Sequence, residues 1–160
     1  MSRLVATGFG LGLLRPAPGT WGSAGALVLG IGIDRLLGFP ALVLATAAAV
    51  AVGFWACARV CGPGEDPSEV VIDEVAGQWI AMLFPAAAVW AKGLDVAYPG
   101  WIAAFVFFRL FDIWKPWLVG RADRRGDAAG VMLDDLWAGL FAGLAVIVTG
   151  VAYHAVILGV

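Results

Sequence analysis

The sequence predicts an all-α protein, a polytopic membrane bundle of about five membrane-embedded helices, and three observations support this fold class. Of the 160 residues, 62 % are hydrophobic and only 14 % are charged, whereas soluble domains carry about 25 % charged residues. The mean hydropathy is +0.92, which also excludes a disordered chain. Glycine and alanine recur along the apolar stretches, and small residues let helices pack closely in lipid.

Five uncharged runs locate the predicted helices: residues 16–33, 36–58, 75–91, 96–108 and 136–160. About 20 apolar residues cross a bilayer, so the second and last runs suffice alone. The third reaches that length if its helix begins near Pro67, and the fourth does so if its helix continues through Arg109 and Asp112. Two prolines and a glycine interrupt the first run, so we expect a short helix from about Thr20, with a non-spanning hairpin as the alternative.

Charged residues are divided unevenly between the two ends of these helices. With five crossings, eight Lys and Arg residues fall on the side of the N-terminus and only Arg35 and Lys92 on the other. The positive-inside rule therefore places the N-terminus in the cytoplasm. Ten of the twelve acidic residues lie on the same side, so the polar chemistry is expected at one membrane face. A net charge of −2 gives no basic excess for nucleic acid.

A glycine-rich segment, residues 8–23, precedes the first long helix. Its glycines permit a close backbone approach to a ligand. Thr20 is placed to cap the helix that follows, and a helix N-terminus attracts anions. Arg15 adds a fork of donors suited to phosphate. The alternative interpretation is an ordinary turn rich in glycine and proline.

Acidic residues cluster where the third run begins. Asp66 and Glu69 are typical of a capped helix start, which would leave Asp73 and Glu74 two turns into a helix that becomes apolar. Glu69 and Asp73 are four residues apart and would share a face, which Gly77 continues. A carboxylate inside a membrane costs about 2.5–3.5 kcal/mol, so a functional role explains this cluster better than packing does.

Charged residues recur every three positions at the end of the fourth run. Arg109, Asp112 and Lys115 would share one face of a helix that Pro116 ends. One interpretation is a ladder of ion pairs at the membrane interface. The other assigns Asp112 to a metal or a reacting group, and Arg109 and Lys115 to substrate phosphate.

Asp134 and Asp135 are predicted to begin the final helix. Carboxylates near a helix N-terminus are favourable by about 0.3–1 kcal/mol, which is the simple explanation. Two adjacent acidic residues on a helix that enters lipid, with Gly139 four residues after Asp135, fit a buried metal site better.

Together these segments would bring carboxylates from three helices to one end of the bundle. Such a cluster repels itself without a cation, and oxygen-only ligands suit Mg²⁺. Two cysteines, Cys57 and Cys61, are too few for a zinc site without a histidine nearby, and the one histidine, His154, lies in the last run. A metal beside arginine and lysine, reached from the lipid, indicates phosphoryl chemistry on a membrane substrate.

These four segments, in this order, resemble the phosphatidylglycerophosphatase A family. The similar segments are residues 8–23, 66–78, 108–116 and 130–135, and the resemblance covers nearly the whole chain, so residues 1–160 are expected to form a single domain. It implies a bacterial cytoplasmic (inner) membrane enzyme with its active site at the cytoplasmic face. Mg²⁺-dependent hydrolysis of phosphatidylglycerophosphate would yield phosphatidylglycerol and inorganic phosphate. Leu118, Val119 and the more basic stretch 121–125 depart from the family pattern.

The predicted site combines three roles. The catalytic residues are Asp73, Glu74 and Asp134; the metal ligands are Glu69, Asp73, Asp112, Asp134 and Asp135; the phosphate-binding residues are Arg15, Thr20, Ser23, Arg109 and Lys115. Glu74 is the most plausible base toward an attacking water. A covalent aspartyl-phosphate route is the alternative.

Two other functions use similar residues. A small membrane cation or proton transporter uses intramembrane carboxylates but predicts polar residues on both faces. A lipid-phosphate transferase of the CDP-alcohol type is also metal-dependent, but its spaced Asp-Gly, Ala-Arg and Asp pattern is not found in this sequence.

Overall fold

The computed structural model describes residues 1–62, 67–93 and 98–158, and these residues form helices without a strand. The helices, in chain order, are α1 (Ser2–Ala6), α2 (Pro18–Leu37), α3 (Phe39–Val60), α4 (Ile72–Ala91), α5 (Tyr98–Trp114), α6 (Leu118–Asp123) and α7 (Ala128–Tyr153). A short 3₁₀ segment, Gly8–Leu13, links α1 to α2, and a π-helical turn, His154–Leu158, follows α7. The all-α prediction is confirmed.

Five of the helices are long, with 17 to 26 residues each. Two of them are long and apolar enough to cross a membrane, Phe39–Val60 and Ala128–Val156. The five crossings and the cytoplasmic N-terminus stay predictions.

The central helix of the bundle is α4, which packs against α2, α3, α5 and α7. Its closest neighbour is α7, because two glycines face each other at the crossing. A Cβ on Gly77 would lie 2.5 Å from the carbonyl oxygen of Asp135, and a Cβ on Gly139 would meet the carbonyl oxygen of Gly77. The two backbones therefore touch, because neither glycine has a Cβ at the crossing.

The predicted start of α2 is wrong. The helix begins at Pro18 rather than near Thr20 and is 20 residues long, not short. Ala17 is the N-cap residue and no side chain caps the helix, so Thr20 lies in the first turn and does not cap it. Proline fits the first helical position because it has no N–H to satisfy and its φ is already helical.

The predicted start of α4 is also wrong. The helix begins at Ile72 instead of Pro67, because the N–H of Val71 bonds to the carbonyl of Ala6 at 2.8 Å and holds the preceding residues against α1. Glu69 therefore shares no helix face with Asp73. Asp73 and Glu74 occupy the first turn of α4, not its third. Asp66, the predicted cap, lies outside the described residues.

The final helix begins earlier than predicted. Asp127 is its N-cap and accepts a hydrogen bond from the N–H of Gly130 at 2.7 Å. The Arg125 guanidinium and that N–H hold the pKa of the Asp127 carboxyl below its usual value. Asp134 and Asp135 are thus two turns inside α7 and buried. Helix-terminus electrostatics does not explain two carboxylates at this depth.

Candidate active site

A polar cavity of about 220 Å³ opens at one end of the bundle, where α2, α4 and α7 begin and α5 ends. The residues that line it are Ala17, Pro18, Gly19, Thr20, Ser68, Val70, Asp73, Glu74, Arg109, Asp112, Lys115, Val131, Asp134 and Asp135. Eight of the predicted site residues therefore share one cavity: Thr20, Asp73, Glu74, Arg109, Asp112, Lys115, Asp134 and Asp135.

Three carboxylates form the inner part of the cavity, and we call Asp73, Glu74 and Asp135 the acidic trio. One oxygen from each lies within 4.8 Å of the others. Asp73 and Asp135 are only 7 % and 3 % exposed. The Oε2 atom of Glu74 is buried and has no hydrogen-bond partner among the described residues. Within that part of the chain, no salt bridge joins a cationic side chain to the trio.

Two further carboxylates in the cavity are paired with cations. Asp112 forms an ion pair with Nη1 of Arg109 at 2.7 Å, and both side chains are largely buried. Asp134 pairs with Nζ of Lys115 at 3.1 Å. Asp112 and Asp134 line the same cavity as Asp135, so the pairs and the acidic trio adjoin. The cavity thus holds both an uncompensated group of carboxylates and two cations.

The loop after α5 aims Lys115 into the cavity. Lys115 and Trp117 have φ values of 50° and 42°, a left-handed conformation that is costly for residues with side chains. Gly120 leaves no room for a Cβ, which would lie 2.5 Å from the carbonyl oxygen of Lys115. Lys115 also donates to Asp123. Burial opposes its charge, but Asp123 and Asp134 outweigh that effect and hold the pKa of Lys115 above its usual value.

The glycine contacts explain how the carboxylates meet. Gly77 is one turn beyond Asp73 on α4, and Gly139 is one turn beyond Asp135 on α7. Their backbone contact therefore draws the two acidic turns together. At the start of α2, a Cβ on Gly19 would meet Oε1 of Glu74, so this helix also touches the acidic trio directly.

Three residues of the predicted site lie away from the cavity. Glu69 pairs with Arg3 at 2.7 Å, which ties the segment before α4 to α1. Arg15 is exposed and does not line the cavity. Ser23 is buried behind Arg109: it accepts from Nη1 at 3.3 Å and donates to the carbonyl of Gly19 at 2.7 Å. The structure therefore does not bring Glu69 to the acidic trio, and it places Ser23 where it can position Arg109.

Sequence reasoning missed several residues of the cavity wall. Ser68 and Val70 line it from the loop before α4, and Asp123 holds Lys115 from α6. Gly19 could have been found from the sequence, because it is a glycine between Pro18 and Thr20 at the start of a helix. The others could not, because their role depends on which segments pack together.

The arrangement suits a divalent cation and a phosphate group. Closely spaced carboxylate oxygens without a cationic side chain are favourable only with a bound cation or with protons between them. Oxygen donors suit Mg²⁺. Arg109 and Lys115 offer donors and positive charge to an anion beside that position.

The chain is similar to known phosphatases. Residues 4–149 match the family model described as phosphatidylglycerophosphatase A. The chain is 35 % identical over 147 residues to a protein of Haemophilus influenzae named phosphatidylglycerophosphatase A, which covers 89 % of this chain and 85 % of the relative. It is 33 % identical over 142 residues to the Escherichia coli protein of the same name, with 86 % and 76 % covered.

A further relative has a different name. The chain is 42 % identical over 144 residues, with 86 % of each chain covered, to a Bacteroides thetaiotaomicron protein named "Putative phosphatidylinositol-3-phosphatase". No solved structure shows significant similarity to this chain. The chain belongs to the phosphatidylglycerophosphatase A family and is a phosphatase, which confirms the family resemblance and favours an enzyme over a transporter.

Proposed function

We propose that this family member hydrolyses phosphatidylglycerophosphate to phosphatidylglycerol and inorganic phosphate, with Mg²⁺ held by the acidic trio. The single observation that carries the proposal is the cavity at the end of the bundle. It combines Asp73, Glu74 and Asp135 with two cations, Arg109 and Lys115. A terminal phosphate monoester needs both a cation and anion-binding donors around its charge.

The acidic trio fits a resident divalent ion. Its oxygens come from two helices and converge within 4.8 Å. The Oε2 atom of Glu74 is buried without a partner among the described residues, which is costly unless a ligand or water satisfies it. Asp112 and Asp134, beside the trio, would hold water or a second ion. When bound, Mg²⁺ polarises the phosphoryl group and lowers the pKa of a bound water.

The side chains of the chain would then bind and orient the phosphate. Arg109 lines the cavity and is held by Asp112 and Ser23, so it would bind an anion with little further loss of side-chain entropy. Lys115 would supply a second cation in the same cavity. Glu74 would accept the proton of the attacking water at Oε2. The water oxygen would bond to phosphorus as the phosphorus–oxygen bond to glycerol breaks, and the glycerol oxygen would take the proton held by Glu74 and leave as a hydroxyl of phosphatidylglycerol.

We place the chain in the bacterial inner membrane with five crossings and the cavity at the cytoplasmic face. The division of Lys and Arg residues, eight against two, supports this orientation. An odd number of crossings puts the C-terminus outside. A reporter enzyme that works only outside the cytoplasm, fused after the last residue, should therefore be active. A reporter active only inside would contradict this topology.

Phosphate release tests the reaction. The full chain, purified in neutral detergent, should release phosphate from phosphatidylglycerophosphate with Mg²⁺, lose more than about 100-fold of that rate in EDTA, and regain it when Mg²⁺ is restored. Full activity in EDTA would refute the metal role. No release with any divalent ion would refute the reaction. A phosphoenzyme trapped by acid quench would favour the aspartyl-phosphate route over direct attack by water.

A second substrate is favoured by the relative named for phosphatidylinositol 3-phosphate. Both lipids carry a phosphate monoester, which the cavity cations would bind alike. We therefore include phosphatidylinositol 3-phosphate as a parallel substrate and expect the higher kcat/KM for phosphatidylglycerophosphate. The reverse ranking would reassign the substrate while leaving the phosphatase chemistry intact.

A further inference from the structure

The outer face of α6 differs from the rest of the cavity end, because its charged side chains take no part in the site described above. Val119, Gly120 and Ala122 are buried on the inner side of this helix, which packs against α7. Three exposed residues belong to the other side: Arg121 lies within α6, and Trp117 and Arg124 are the residues at its N-terminal and C-terminal ends. We call these three residues the α6 outer face.

The arginines of this face are not neutralised. In residues 1–62, 67–93 and 98–158, neither Arg121 nor Arg124 has a side-chain ion pair or hydrogen bond. Arg125, the next residue, is paired with Asp127 at 2.9 Å and so leaves the charge of the other two uncompensated. Two unpaired arginines one turn apart form a cationic surface for a negatively charged partner.

The same face presents a large aromatic ring to the outside. Trp117 is 86 % exposed, although its backbone adopts the left-handed conformation that a bulky residue avoids. The neighbouring Trp114 and Ile113 are 69 % and 72 % exposed. Exposed tryptophan beside arginine is the combination found in segments that lie at the headgroup level of a membrane.

We propose that the α6 outer face binds the headgroups of anionic phospholipids and seats the mouth of the cavity on the bilayer surface. The proposal rests on the proposed membrane function, which it deepens by assigning a lipid-binding surface outside the cavity. Lys115, two residues before Trp117, lines the cavity, so lipid held on this face lies next to the site. Charge complementarity favours anionic lipid, because the two arginines would meet negatively charged headgroups. The tryptophan ring would lie at the level of the same headgroups.

Binding of a labelled lipid tests this assignment. The full chain in neutral detergent is titrated with dansyl-labelled phosphatidylserine or phosphatidylcholine, and energy transfer from tryptophan is recorded. The double variant Arg121→Gln/Arg124→Gln should need at least about tenfold more phosphatidylserine for half-saturation, since each surface arginine contributes about fivefold. Binding of phosphatidylcholine should not change. Added salt should weaken the binding of phosphatidylserine by the wild-type chain and leave its binding of phosphatidylcholine unchanged.

Matched variants separate charge from folding. Arg121→Lys/Arg124→Lys should bind phosphatidylserine like the wild type, because the charge is kept. Arg35→Gln removes an exposed arginine at the other end of the bundle and should change nothing. Unchanged binding in the double glutamine variant, or an equal loss in Arg35→Gln, would overturn the proposal. A response to an acidic protein but not to anionic lipid would overturn it as well.

Phosphate release from a short-chain phosphatidylglycerophosphate, dispersed in the same neutral detergent, distinguishes this proposal from the proposed function. We expect the double glutamine variant to stay within about twofold of the wild type there. A larger loss would place the arginines in substrate binding and overturn the docking role. An inactive wild-type chain that still binds phosphatidylserine would refute the proposed reaction and leave the lipid surface standing.

Discussion

The five carboxylates of the cavity fall into two groups that differ only in their neighbours. Asp112 and Asp134 each face a cation, Arg109 or Lys115. Asp73, Glu74 and Asp135 face one another. The paired carboxylates are neutralised by the fold itself, and they hold the two cations in place. The acidic trio has no such partner among the described residues, so its charge is left for something the protein binds.

This contrast predicts opposite responses to removal of one charge, and the largest effect is expected at the trio. Asp135→Asn should lower kcat by more than about 100-fold, because an amide is a weaker ligand and even outer-shell changes at metal sites cost about 10–100-fold. In EDTA the same variant should melt at a higher temperature than the wild type, since one of three repelling carboxylates is gone.

Asp134→Asn makes the same substitution at a carboxylate that is paired with a cation. It should melt at a lower temperature than the wild type in EDTA, because Lys115 loses a partner. Asp34→Asn, near the end of α2 far from the cavity, serves as the control and should leave kcat unchanged. Equal effects of Asp135→Asn and Asp134→Asn would show that the two groups do not differ.

The helix crossing tests whether the trio depends on backbone contact. Gly139→Ala places a Cβ against the carbonyl of Gly77, which should cost about 1–3 kcal/mol and lower activity by roughly tenfold or more as α4 and α7 separate. Gly150→Ala, on the same helix, meets nothing within 4 Å and should be neutral or slightly stabilising. Thermal unfolding and phosphate release measure both effects. A tolerated Gly139→Ala would show that the crossing does not position the trio.

Arg109→Lys probes the better buried of the two pairs. Lysine keeps the charge but lacks the planar fork, so it cannot hold Asp112, Ser23 and a phosphate together. We expect KM to rise about tenfold with a smaller change in kcat, as for lost ground-state binding. Arg35→Lys is the control. An unchanged KM would mean that Arg109 serves Asp112 only.

Asp123→Asn should give the smallest effect. It removes one of the two carboxylates that hold Lys115, so the ammonium is drawn toward Asp134 and away from substrate. KM should rise about threefold at constant kcat. Asp127→Ala, which removes the cap of α7 at a residue that does not line the cavity, should reduce stability by about 1 kcal/mol but leave KM unchanged. A fall in kcat for Asp123→Asn would indicate a more direct role.

Several features of the site could be predicted because they depend on residue type and local spacing. Asp73, Glu74, Asp112, Asp134 and Asp135 stood out because acidic residues beside long apolar runs have no packing role. Helix starts were less predictable. Pro18, Val71 and Asp127 set the true boundaries through a fixed φ, a bond to α1 and a side-chain cap, and only the last is a strong local signal.

The sequence by itself determined the helical fold, the family and the acidic and basic residues of the cavity, because composition and the order of motifs are properties of the sequence alone. The tertiary structure decided how those residues are divided. Which carboxylate meets Lys115, and which meets only other carboxylates, depends on where α4 crosses α7 and how the loop after α5 turns. Glu69 and Arg3, 66 residues apart, pair for the same reason. Such contacts join segments distant in the chain, and no local pattern encodes them.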